Sequence, residues 1–129
     1  MNKKIISTNL APQAIGSYSQ AVRAGDFLFA SGQIALDPAS GEMVNESFKS
    51  ETRRVFENVK GIASAAGMEL SDIVKLTVYL TDLDDFADLN EVMVEYFTEP
   101  YPARAAVQVS ALPKGATVEV DATFLVNAN

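Results

Sequence analysis

In the stretch YPARAAVQVSALPKGATVEVDA, Tyr101 to Ala122, one arginine and one glutamate stand among small and apolar residues. Arg104 closely follows Pro102, and a planar guanidinium fork is the natural partner of a small carboxylate. Glu119 lies between valines, where a charge without a role is unusual. If the two act together, their ligand is a small carboxylate. Taken alone, the same residues also fit two solvated surface charges, because exposed ion pairs are common and contribute little.

Composition narrows what else can take part. The chain of 129 residues has no histidine and no cysteine. That excludes thiol nucleophiles, disulfides and thiolate metal sites, and removes the commonest general base. Catalysis then falls to carboxylates, Tyr, Ser or Thr, Lys, Arg or backbone groups. A net charge of −7 argues against a general nucleic-acid surface, since phosphate binding draws on Lys and Arg. The N-terminal MNKKIISTNLAPQ holds too short an apolar run for a secretory signal or a membrane span, so a cytoplasmic protein is expected. The length fits one domain, residues 1–129.

These residues must be positioned by a small set of elements. Lys4–Ser7 reads as a short edge strand, and YSQAVRAGDFLFASGQI as a hairpin turning at Ala24-Gly25-Asp26. From Ser47 to Ala66 the apolar residues recur at helical spacing, with Gly67 placed as a C-terminal cap. Asp72–Leu80 alternates and is rich in β-branched residues, so it is a strand. Phe86, Leu89, Val92, Met93, Tyr96 and Phe97 mark a second helix, with Pro100 after its end and with Met93, Tyr96 and Phe97 assigned to the core. Two strands follow. The order βββαβαββ implies an α+β fold, one mixed six-stranded sheet with both helices on one face.

The last two strands are expected to form a hairpin centred near Pro113–Lys114. Glu119 then lies opposite Gln108, and Arg104 about 13 Å further along. Alternation assigns Arg104, Ala106 and Gln108 to the polar sheet face, together with Glu119 and Asp121, and leaves that face to water or another subunit. One small ligand touching both charges would then need a cleft between subunits.

The segments AIGSYSQAV, ASGQIALDPASGEM, FENVKGIASAAG, DIVKLTVYLTDLDDFADLNEVMVEYF and YPARAAVQVSALPKGATVEVDA occur in order along nearly the whole chain. In these the chain resembles the RidA family, also called YjgF. The resemblance implies a chorismate-mutase-like fold, a homotrimer with clefts between subunits, and hydrolysis of reactive 2-imino acids to 2-keto acids and ammonia. No metal or cofactor is implied. Arg104 matches the arginine that clamps the substrate carboxylate, and Glu119 the glutamate that orients or activates water. Tyr18, Ser31, Gly32 and Asn90 match residues lining the cleft. Ala106 stands where many members carry cysteine, which keeps the backbone carbonyl there but no thiol, and Ser17 stands where many have proline.

Without the resemblance, Tyr18 fits an interface aromatic, Ser31-Gly32 a strand end and Asn90 a helix surface. Two other functions stay open at this point. One is a non-catalytic trimer that binds small carboxylates; the other is an endoribonuclease or translation inhibitor, against which stand the acidic charge and the missing histidines.

Overall fold

The computed structural model describes residues 3–126. Six strands and two helices follow one another as β1 (Lys3–Ile6), β2 (Ala21–Ala24), β3 (Phe27–Gln33), α1 (Phe48–Ala65), β4 (Ile73–Leu80), α2 (Phe86–Tyr96), β5 (Ala103–Gln108) and β6 (Val118–Leu125). The element order is the expected one, and the element bounds lie within about three residues of the sequence reading.

Local chemistry explains where α1 starts and stops. Ser47 accepts a hydrogen bond from the Ser50 N–H at 3.1 Å, and Ser50 Oγ accepts from the Ser47 N–H at 3.0 Å, a reciprocal cap. At the other end Gly67 takes φ +71°, its N–H donates to the Ser64 carbonyl, and the Met68 N–H donates to that of Ala63. This is the Schellman arrangement, and a glycine permits it without steric cost.

The sheet order is β1-β2-β3-β6-β4-β5. Only the β4–β5 pair is parallel, and α2 makes the crossover that such a pair requires. β3 and β4 both run antiparallel to β6, which fills the slot between them, and α1 spans that wider crossover. Both helices therefore cover one face. The expected β5–β6 hairpin does not form: β4 lies between the two strands, and residues 109–117 pass over its end. Glu119 stands opposite Tyr79 rather than Gln108.

The core is the layer between helices and sheet, where Phe56, Ile62, Leu89, Leu28, Leu76, Leu80 and Phe124 are fully buried. Phe56 packs against Tyr96 at 5.4 Å between ring centroids and edge-on against Phe97 at 5.6 Å, which locks α1 to α2. Among the described residues no helix covers the opposite sheet face, and Ile5, Phe27, Phe29 and Val107 are exposed there. Among the described residues no helix is long and apolar enough to cross a membrane.

Candidate active site

The register of β5 decides where Arg104 points. Arg104 pairs with Leu76, and Ala106 with Val78, both β4 residues of the buried face. Paired residues share a side of the sheet, so Arg104 and Ala106 lie on the helix face and not on the polar one expected. Glu119 pairs with Tyr79 and lies on the open face. The misreading has a physical cause. β5 is an edge strand of small residues, and a long arginine side chain at an edge can leave the core side and reach solvent beside α2.

α2 receives it. The Arg104 Nη1 donates to Asn90 Oδ1 at 2.7 Å and approaches Met93 Sδ at 3.2 Å. Its Cζ lies 5.0 Å from the centre of the Phe86 ring, within the range of a cation–π contact. Asn90, Met93, Val94, Tyr101, Pro102 and Arg104 enclose a cleft of about 460 Å³. Met93 is buried as expected, yet its sulfur belongs to this site as much as to the core.

Glu119 faces a second cleft of about 520 Å³, which also takes in Tyr18, Ser31, Gly32 and Lys114. Here β3 carries a bulge: Ala30 pairs with Ala122 and Gln33 with Val120, so Ser31 and Gly32 together oppose the single residue Asp121. The bulge brings the Gly32 backbone against the Glu119 side chain. A Cβ at position 32 would lie 2.9 Å from Glu119 Cδ and collide with its carboxylate. Glycine at position 32, one residue from the end of β3, thus leaves room for the Glu119 carboxylate.

Ser31 spends its hydroxyl proton on the Ser19 carbonyl at 2.6 Å, and its N–H on the Gln20 carbonyl at 2.9 Å. It fastens the segment that carries Tyr18. The Tyr18 hydroxyl accepts from the Ile15 N–H at 3.4 Å, and its ring stays exposed at the cleft. Glu119 accepts no hydrogen bond among the described residues. Burial, and then the charge of Asp121, push its carboxyl above the usual range. Asp121 is itself held by the Tyr79 hydroxyl at 3.0 Å. A half-buried carboxylate with free lone pairs and raised basicity is suited to receive a proton from a water.

The structure therefore brings the seven expected residues together in two groups. Arg104, Asn90 and Ala106 belong to the β5–α2 side; Tyr18, Ser31, Gly32 and Glu119 belong to the open face. By register the two charges are separated by about 10 Å along the strands and about 10 Å across them, on opposite sides of the sheet.

Sequence reasoning missed the residues that hold these walls. Gln20, almost fully buried, accepts from the Thr8 N–H at 2.7 Å and donates to the carbonyls of Thr8, Ala11 and Pro12, fixing the loop that lines the Glu119 cleft. Asn58 donates to the carbonyls of Ile34 and Leu36 at 3.1 and 2.9 Å and so shapes the opposite wall. Glu51 accepts from the Thr117 N–H and hydroxyl, each at 2.7 Å, two residues before Glu119. For α1 a signal was present: Glu51 and Asn58 sit on its apolar stripe, where a polar side chain must find a buried partner.

Comparison with known proteins identifies the family. The Endoribonuclease L-PSP family profile matches residues 8–126. A RutC family protein of Pyrococcus horikoshii is 54% identical over 93% of this chain and 95% of its own length. The 2-iminobutanoate/2-iminopropanoate deaminase of Bos taurus is 48% identical over 93% of this chain and 88% of its own. The crystal structure of E. coli TdcF with bound serine superposes with a TM-score of 0.90 at 46% identity, covering 95% of this chain and 98% of that one. Fold, residue pattern and these likenesses agree, and the chain belongs to the RidA/YjgF family.

Proposed function

We propose that the protein is a cofactor-independent deaminase that hydrolyses small 2-imino acids, of the 2-iminobutanoate and 2-iminopropanoate class, to 2-keto acids and ammonium. The observation that carries the reading is the pair of half-sites: a guanidinium with an open edge in one cleft and an unbonded, basic carboxylate in another. On one copy they face away from each other. In a homotrimer whose open sheet faces pack inward, the Arg104 side of one subunit meets the Glu119 side of the next. The exposed Ile5, Phe27, Phe29 and Val107 on the open face give such packing an apolar basis.

The chemistry follows from the residues. Arg104 binds the substrate carboxylate and fixes C2 of the protonated imine beside Glu119. A water attacks C2 as Glu119 takes its proton, and the C=N π electrons move to nitrogen. Glu119 returns that proton to the amine, then takes the hydroxyl proton as the C–N bond breaks and ammonia leaves, and the ammonia recovers it from Glu119, so the products are the keto acid and ammonium. A protonated imine is already strongly electrophilic, so holding and orienting supply much of the acceleration. The names of the deaminase relatives and the serine bound to TdcF, itself a small amino acid carboxylate, also support this reading.

The family profile's endoribonuclease description has less support, because the net charge is −7 and, among the described residues, Lys114 is the only cation lining the Glu119 cleft. The test is hydrolysis of freshly generated 2-iminobutanoate. Wild type should accelerate release of keto acid and ammonia, and Arg104→Ala and Glu119→Ala should each abolish it. Wild type no faster than buffer refutes deamination. Loss with Arg104→Ala but not with Glu119→Ala points to a carboxylate-binding protein instead.

A further inference from the structure

Arg104 is gripped by a single stripe of α2. Phe86, Asn90 and Met93 stand at i, i+4 and i+7, which on a helix is one face. Asn90 and Met93 both engage Nη1, while the Phe86 ring lies against the guanidinium 5.0 Å from Cζ. Nε and Nη2 make no hydrogen bond among the described residues. Those two nitrogens form the edge of the fork that meets both oxygens of a carboxylate in parallel. One amide contact fixes a point on the guanidinium but leaves the group free to turn about it. The ring supplies the missing constraint.

From this geometry we infer that Phe86 is a positioning residue for the carboxylate clamp. Its ring sets the plane of the Arg104 guanidinium so that the Nε–Nη2 edge is presented to the ligand. The inference rests on the reading of Arg104 as the carboxylate clamp. Phe86 is itself partly exposed at 37%, so it contributes little to the core and a substitution there leaves the fold in place. If the ring served only as apolar bulk, leucine would replace it without loss. If its π-face holds the cation, leucine fails and tyrosine succeeds.

Calorimetric titration with pyruvate, a stable small 2-keto carboxylate, tests this without the reactive substrate. Phe86→Leu should weaken pyruvate binding by about 3- to 10-fold, the usual strength of such a contact, with the thermal midpoint unchanged. In turnover it should raise KM more than it lowers kcat. Phe86→Tyr should bind within about twofold of wild type. Pentafluorophenylalanine at position 86 keeps the ring's shape and reverses its quadrupole; it should weaken binding as leucine does. Arg104→Ala is the control, and pyruvate affinity unchanged by it overturns the clamp reading and this inference together. If Arg104→Ala loses pyruvate while the leucine or pentafluoro variant binds it as wild type does, the clamp stands and the role of Phe86 is overturned.

Discussion

Replacing Gly32 with alanine should disable the chemistry while leaving the protein folded and able to bind carboxylates. The added Cβ would lie 2.9 Å from Glu119 Cδ and 3.3 Å from Cγ, inside the separation that carbon atoms tolerate, and closer still to Oε2. Gly32 is not in the left-handed backbone region, so alanine brings no strain of its own. Glu119 is the group that gives way, because its carboxylate is the free end of a flexible side chain. Moving it off its rotamer costs about 0.5–1.5 kcal/mol, which lowers the thermal midpoint by a few degrees at most. A general base displaced by about 1 Å loses on the order of 100-fold in rate. The assay is ammonia release from 2-iminobutanoate, run beside pyruvate titration and a thermal melt. The expected result is kcat down about 100-fold with pyruvate affinity within about twofold, since the Arg104 half is untouched. A Gly32→Ala protein with wild-type kcat would refute the placement of Glu119 at the chemistry.

Gly61 provides the contrast. A Cβ there would lie 2.7 Å from the Leu10 carbonyl carbon, a backbone atom that cannot swing aside, so Gly61→Ala should lower stability by about 1–3 kcal/mol in chemical denaturation. Asn58→Leu leaves two partly buried carbonyls without their donor and should cost about 1–3 kcal/mol by the same measurement. Because burial and Asp121 raise the Glu119 carboxyl above its ordinary 4.5, the base protonates early as pH falls, and the acid limb of kcat/KM should lie above 4.5. Asp121→Asn removes one of those causes and should move the limb to lower pH in the same profile.

The sequence was most legible where a pattern has one physical reading. Apolar spacing located both helices, and Ser47 and Gly67 cap α1 where a serine and a glycine should. Alternation located β4 and β6 and sorted their faces, because one side of each is buried by the helices. It failed on β5. There the residues on both sides are small, and pairing with β4 rather than β6 reverses what Arg104 faces. Strand adjacency is a long-range property that a nine-residue connection does not encode. Arg104 and Glu119 stood out by their chemistry and the other five candidates came from the family pattern, yet their division into two groups needed the sheet order. Gln20, Glu51 and Asn58 were passed over because buried polar residues declare themselves only through partners distant in sequence. Phe86 marked only the periodicity of α2, because an aromatic at helical spacing carries no sign of the cation that lies beside it.

Subunit mixing puts the central claim to its most direct trial. Arg104→Ala and Glu119→Ala proteins, each inactive alone, are combined in equal amounts under conditions that exchange subunits, and 2-iminobutanoate hydrolysis is measured. A cleft built from two neighbouring copies is intact whenever an Arg104-bearing subunit meets a Glu119-bearing one in the right order. Random assembly should therefore restore about a quarter of wild-type activity. A mixture that exchanges fully and stays inactive would contradict the shared cleft.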